Sequence, residues 1–168
     1  QGLTTIINGN CGLSLAPVCG AHAVEIQRYL SPIVGELPEG REFPSMASYL
    51  AQAREAAPPV NTFMLAGMGT IRACAAGFSD LPLTAEQYAR VHRLLEESLA
   101  GGAIGVSLGL GYAPECFYDT EGLIRALEPL RGSSTVVTVH MRQEGDGVVD
   151  ALREMLAVAR ELRMPLEI

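Results

Sequence analysis

Short apolar runs recur along the chain at Leu3 to Ile7, Asn61 to Ala66, Ile104 to Leu108 and Thr135 to Val139, and a fifth begins at Pro165. The first four are rich in β-branched residues and lack strict alternation, the pattern of strands covered on both faces in a parallel sheet. Amphipathic segments separate them. The clearest begins at Thr84, where Thr84 and Gln87 match a capping box; Tyr88, Val91, Leu95 and Leu99 mark one face, and Gly101-Gly102 ends it. A second helix is predicted from Thr120 to Leu130 with Asp119 or Thr120 as its cap. A third follows Asp146, with Val149, Leu152, Leu156 and Ala159 on one side and Arg160 and Arg163 near its C-terminal end.

From Ile104 onward strand and helix repeat at the size of a βαβ unit. The first unit is longer: positions 17–59 carry several prolines, Gly35, Gly40 and a helical stretch near Ser45 to Ala56, and are expected to form an elaborated connection outside the sheet. The pattern fits either part of an eight-stranded α/β barrel or most of a doubly wound sheet. Positions 1–168 are therefore read as one α/β segment. The start at Gln1-Gly2 and the end inside an apolar run at Leu166-Glu167-Ile168 suggest a piece of a longer protein.

Composition narrows the chemistry. The 168 residues are 48% apolar and only 18% charged, below the ~25% of average globular usage, so part of the surface is expected to be covered by something other than water. Nineteen acidic residues against twelve basic give a net charge of −7, which argues against nucleic acid or an anionic membrane as partner. All twelve basic residues are arginine. A Schiff-base lysine, a phosphate-loop lysine and a carbamylated-lysine metal bridge are thereby excluded within this chain. Cys11, Cys19, Cys74 and Cys116 form no CxxC pair and are too few for a disulfide scaffold. Without a long apolar run or a leader-like start, a cytoplasmic, reduced protein is expected.

In both candidate architectures ligands bind at the carboxyl ends of the strands. There stand Asn8-Gly9-Asn10-Cys11-Gly12, Gly67-Met68-Gly69-Thr70, Gly109-Leu110-Gly111-Tyr112 and His140-Met141-Arg142. A thiolate from Cys11 and an imidazole from His140 are donor types that zinc prefers; a small buried cysteine and a structural histidine are the plain alternatives. Tyr112 can donate a hydrogen bond to a substrate carbonyl or serve as a half-buried loop residue. Arg142 and Glu144 can pair with each other or with neighbouring loops. Gly105-Val106-Ser107-Leu108-Gly109 matches G-x-S-x-G, with Asp119 and His140 following in the order of an α/β-hydrolase triad. Its context is poor, because a loop containing Pro114 separates Ser107 from the next helix cap. The glycines at 67, 69, 109 and 111 lack the third glycine of a dinucleotide fingerprint.

Several collinear motifs together resemble the D-aminoacylases, the N-acyl-D-amino-acid deacylases of the amidohydrolase superfamily. They are Gly2 to Pro17 around Cys11, Gly67 to Arg72, Gly102 to Pro114, Asp119-Thr120-Glu121, and Thr138 to Gly145 around His140. The resemblance implies a (β/α)₈ TIM barrel, here strands two to five and the start of six, with zinc at the strand ends. It implies a cysteine where many amidohydrolases carry a modified lysine, which fits Cys11 and the absence of lysine. It makes Cys11 and His140 metal ligands, places Tyr112 near the substrate, and implies hydrolysis of the amide of an N-acyl amino acid by a metal-bound hydroxide. The remaining ligands and the aspartate base would lie outside these residues, so the segment alone is expected to be inactive and, as an open half-barrel, to self-associate. Met68 and Leu108 depart from the family pattern at the predicted rim. They motivate an alternative, a degenerate non-catalytic barrel that binds a small molecule or acts as scaffold; a serine hydrolase using Ser107 is the second alternative.

Overall fold

The computed structural model describes residues 2–37 and 41–168; Gln1 and positions 38–40 of the long connection, with its Gly40, lie outside the described residues. Strand β1 (Thr5–Asn8) pairs in parallel with β2 (Asn61–Met64), Thr5 opposite Asn61 and Asn8 opposite Met64. Beyond Leu65 the chain continues as β3 (Ala66–Gly67), which pairs with β4 (Val106–Gly109). β4 then pairs with β5 (Val137–His140), and β5 with β6 (Leu166–Glu167), all in parallel. At the junction Leu65 N–H donates to Asn8 O at 2.9 Å and Ile104 N–H to Met64 O at 3.0 Å, so the two ladders run into each other. The result is a partial parallel α/β barrel. Observed strands differ from the apolar runs by one or two residues at their ends.

Among its described residues the long connection holds two α-helices, α1 (Ala23–Val34) and α2 (Met46–Glu55), of which only the second was legible as a helical stretch. Next, α3 (Met68–Ala76) starts directly at the end of β3. The sequence predicts a glycine-rich turn over its first residues. In the structure Gly67 and Gly69 serve close approach, since a Cβ on either would stand within 3 Å of Gly12 O. Everything from Met68 to Cys74 is buried.

Helix α4 (Ala85–Ala100) carries the expected capping box: Gln87 N–H donates to Thr84 Oγ1 at 3.3 Å, and Thr84 N–H to Gln87 Oε1 at 2.8 Å. Helix α5 (Thr120–Ala126) is capped by Asp119, whose carboxylate accepts from Gly122 N–H at 2.7 Å. It stops four residues short of the predicted Leu130 because Pro129 has no N–H for the Arg125 carbonyl. His92 Nε2 lies 2.7 Å from that carbonyl and replaces the missing donor.

Helix α6 (Val148–Leu162) buries Ala151, Met155, Val158 and Leu162. This corrects the expected face, because Val149, Leu152 and Leu156 are exposed. The helix has two apolar stripes, and periodicity alone cannot say which one meets α5. Among the described residues no helix is long and apolar enough to cross a membrane.

Two truncations test the α6 assignment. Met155→Ala is expected to cost about 2–5 kcal/mol and Leu156→Ala about 1 kcal/mol or less, measured by urea unfolding; equal costs would return the helix to the other face.

Candidate functional site

The turn after β1 carries the first candidate. Cys11 has φ 58°, the left-handed region that a residue with a Cβ seldom adopts, at a cost of about 1–3 kcal/mol that the surroundings must offset. Three side chains from β4 and the loop after it do so. Ser107 Oγ accepts from Gly12 N–H at 3.0 Å and donates to the Gly9 carbonyl. Tyr112 OH donates to the Cys11 carbonyl at 2.6 Å. Glu115 fills the space beside Gly12, where a Cβ would collide with its carboxylate, and its Oε2 accepts from Gly109 N–H at 3.0 Å.

Strand register brings the second candidate to the same place. Gly109 stands opposite His140 at the end of β5. A Cβ on Gly109 would collide with the Cys11 carbonyl oxygen and the Tyr112 hydroxyl, so the Cys11 turn lies on the strand end next to His140. The His140 and Tyr112 rings meet edge to face at 5.4 Å, and His140 Nε2 is 3.5 Å from Glu144 Oε1. Asn10 Oδ1 accepts from Thr138 Oγ1 at 3.2 Å, a direct tie from the β1 turn to β5.

Cys11, Tyr112 and His140 line one cavity of about 850 Å³, with Asn8, Asn10 and Tyr49. A smaller cavity of about 340 Å³ shares Cys11 and His140 and adds Glu144 and Glu167. The residues present fit a metal in their chemistry: a thiol and an imidazole face shared cavities, and no arginine lines the larger one. They do not complete a site, because among the described residues no group of three or more His, Cys, Asp or Glu could hold an ion.

Several expectations change. Ser107 is fully buried with both hydrogen-bonding functions used in the β1 turn, and β4 leads into a loop rather than a helix. Its hydroxyl is a clamp, so the serine-hydrolase alternative fails; Asp119, its proposed acid, caps α5. Met68 and Leu108 are also fully buried and lie in the apolar core, away from the cavity. The departures that motivated the degenerate barrel therefore do not face a ligand. Arg142 pairs with Glu154 at 3.1 Å and donates to the Cys116 and Tyr118 carbonyls, which ties the loop after β5 to the neighbouring layer. The Tyr112 hydroxyl donates to the Cys11 carbonyl; burial, followed by the neighbouring Cys11, pushes its pKa up and keeps the phenol protonated.

Glu115 escaped the sequence reading, although it is the sole charge between Glu97 and Asp119. Burial raises its pKa to about 8, against the pull of the Gly109 and Gly69 N–H groups and of Arg72.

A partly closed parallel α/β barrel with a thiol and an imidazole at its strand ends belongs to the architecture of barrel enzymes that work at that face. Comparison with known proteins makes the assignment specific. No family model matches the chain. D-aminoacylase of Alcaligenes xylosoxydans xylosoxydans is 36% identical over 170 residues, which covers 100% of this chain and 34% of that protein. N-acyl-D-aspartate deacylase of the same organism is 34% identical over 96% of this chain and 32% of its own length. A solved D-aminoacylase, described for a binuclear metal centre with one-metal activation and second-metal attenuation, superposes with TM-score 0.83 at 36% identity over 99% of this chain and 34% of its own. N-acyl-D-glutamate deacylase from Bordetella bronchiseptica, complexed with zinc and a phosphonate mimic of the tetrahedral intermediate, gives TM-score 0.82 at 27% identity, with the same coverage. The chain belongs to the D-aminoacylase family of amidohydrolases and spans about a third of the length of the curated relatives it matches.

Glu115 generates a stability prediction with a defined sign. Its folded pKa of about 8 exceeds the ordinary 4.5, so the folded state holds the proton more tightly. Its contribution is complete below about pH 4.5 and is lost as pH rises through about 8. Glu115→Gln is expected to remove that slope while keeping an acceptor for Gly109 N–H. Glu115→Ala is expected to cost about 2 kcal/mol or more through unsatisfied buried amides. Denaturant titrations between pH 5 and 9 check both.

Proposed function

We propose that this chain supplies the Cys11 and His140 side of the metal site in an N-acyl-amino-acid deacylase, with zinc as the metal and the amide of an N-acyl amino acid as the bond cleaved. The observation that carries the reading is the convergence of Cys11 and His140 on one cavity, with Cys11 held in a left-handed conformation by Ser107, Tyr112 and Glu115. Strain kept at one residue by several independent contacts is common at functional positions. The metal, when bound, would supply Lewis-acid polarisation of the scissile carbonyl and a more acidic water.

This chain's own residues prepare the place. Ser107 and Glu115 fix the backbone on both sides of Cys11, and Tyr112 fixes its carbonyl. Glu144 Oε1 stands 3.5 Å from His140 Nε2 and can orient the ring as a hydrogen-bond acceptor. The apolar body of Tyr49 and the amides of Asn8 and Asn10 offer the substrate a mixed wall. The further ligands and the general base come from parts of the longer protein outside these residues.

In the full-length protein, the double substitution Cys11→Ala with His140→Ala is expected to abolish stoichiometric zinc, read by metal analysis, and deacylase activity together. Chelators are expected to inactivate the protein and serine-directed phosphonates to leave it untouched. Zinc retained by the double variant would overturn the assignment, as would turnover by the 168-residue chain alone.

We also propose that the isolated chain self-associates through the apolar residues that β1 and β2 leave exposed, Ile6, Ile7 and Phe63. Sedimentation at micromolar concentration is expected to show dimers or larger species; a monodisperse monomer is the contrary result.

A further inference from the structure

A second constellation of reactive groups lies outside the rim cavity. Cys19 sits in the loop before the short turn Gly20–His22, and Cys74 sits on α3. The Cys19 N–H donates to Cys74 Sγ at 3.3 Å, and Cys74 Sγ is 3.2 Å from the Pro17 carbonyl oxygen. The first of these contacts holds the Cys74 sulfur against residue 19, and the Arg90 side chain of α4 lies beside them. Arg90 lies so close against Gly20 that a Cβ there would collide with Nη2. Neither cysteine lines the cavity of Cys11 and His140.

We propose that Cys19 and Cys74 form a peroxide-reactive dithiol, with Cys19 as the attacking thiol and Cys74 as the resolving one. Accessibility assigns the roles, because Cys19 is partly exposed whereas Cys74 is 1% exposed. Electrostatics agrees. The neighbouring Cys74, followed by the Arg90 guanidinium, lowers the pKa of the Cys19 thiol despite burial and the opposing Glu97 carboxylate. The neighbouring Cys19 and deep burial push Cys74 up, so it keeps its proton until the second step.

In the first step the Cys19 thiolate attacks one oxygen of hydrogen peroxide. The S–O bond forms, the O–O bond breaks, and the departing hydroxide takes a proton to leave as water, with Cys19 as sulfenic acid. In the second step Cys74 gives up its proton and its sulfur attacks Cys19. The S–S bond forms, the S–O bond breaks, and the hydroxyl leaves with that proton as a second water. Each sulfur is oxidised by one electron and each peroxide oxygen reduced by one. Cys19 stands on a loop, whereas Cys74 is held in the buried part of α3.

The test uses the full-length protein, fully reduced and then given a small molar excess of hydrogen peroxide, followed by alkylation and non-reducing peptide mapping. The expected product links the Cys19 and Cys74 peptides and leaves Cys116 alkylated. Cys74→Ser is expected to stop at a Cys19 sulfenic acid that dimedone traps, and Cys19→Ser to leave the Cys74 thiol intact. Arg90→Gln, a half-exposed position, is expected to slow the reaction of Cys19 at pH 7 by about fivefold or more. The proposal is overturned if Cys19 oxidises no faster than Cys116, if it pairs with another cysteine, or if Cys74 oxidises in Cys19→Ser.

Discussion

Cys11 can occupy its left-handed conformation because the end of β4 is shaped to receive the turn that contains it. Ser107 bonds both sides of the turn, Tyr112 holds its central carbonyl, and Glu115 packs against Gly12. The bed beneath consists of Gly67, Gly69 and Gly109, where any Cβ would strike Gly12 or Cys11 backbone. A second network continues outward: Ser14 Oγ accepts from Gly67 N–H, and Thr70 Oγ1 accepts from Ser14 N–H while donating to Ser14 O. Because β4 is in register with both β3 and β5, the clamp that fixes Cys11 also fixes its relation to His140.

The clamp relies on a buried carboxyl group, and its surroundings explain how that is tolerated. Glu115 Oε2 accepts backbone N–H groups, whereas Oε1 has no partner among the described residues. Arg72, 1% exposed, does not bond to it; the guanidinium donates to the Ser79 carbonyl at 3.1 Å and stacks over Tyr118 at 5.1 Å and Phe117 at 5.6 Å. Desolvation therefore outweighs the cation, and the carboxyl remains protonated near neutral pH, where it costs far less to bury than an ion. The cation is accommodated by aromatic faces and carbonyls.

The strand runs, the capping box at Thr84 and the cap at Asp119 were legible because they are local: hydrophobic runs, side-chain oxygens and the amides they satisfy lie within a few residues of one another. Cys11 and His140 were legible as candidates because strand ends are where this architecture binds ligands. Helix α3 was missed because two glycines at its start look like a turn, and only the approach of the β1 turn explains them. The buried face of α6 was misassigned because the helix offers two apolar stripes. Ser107 resembled a nucleophile within five residues and is a clamp across 95.

The sequence alone determined the strand runs, the helices that begin after Thr84, Asp119 and Asp146, the chemical character of the strand ends and the absence of lysine chemistry, since each depends on residue type and short-range spacing. Only the tertiary structure decided that Ser107, Tyr112 and Glu115 act on the Cys11 turn, that Met68 and Leu108 are core, and that Cys19 and Cys74 meet. Those relations join residues far apart in the chain, and they follow from strand register and helix packing rather than from local preference.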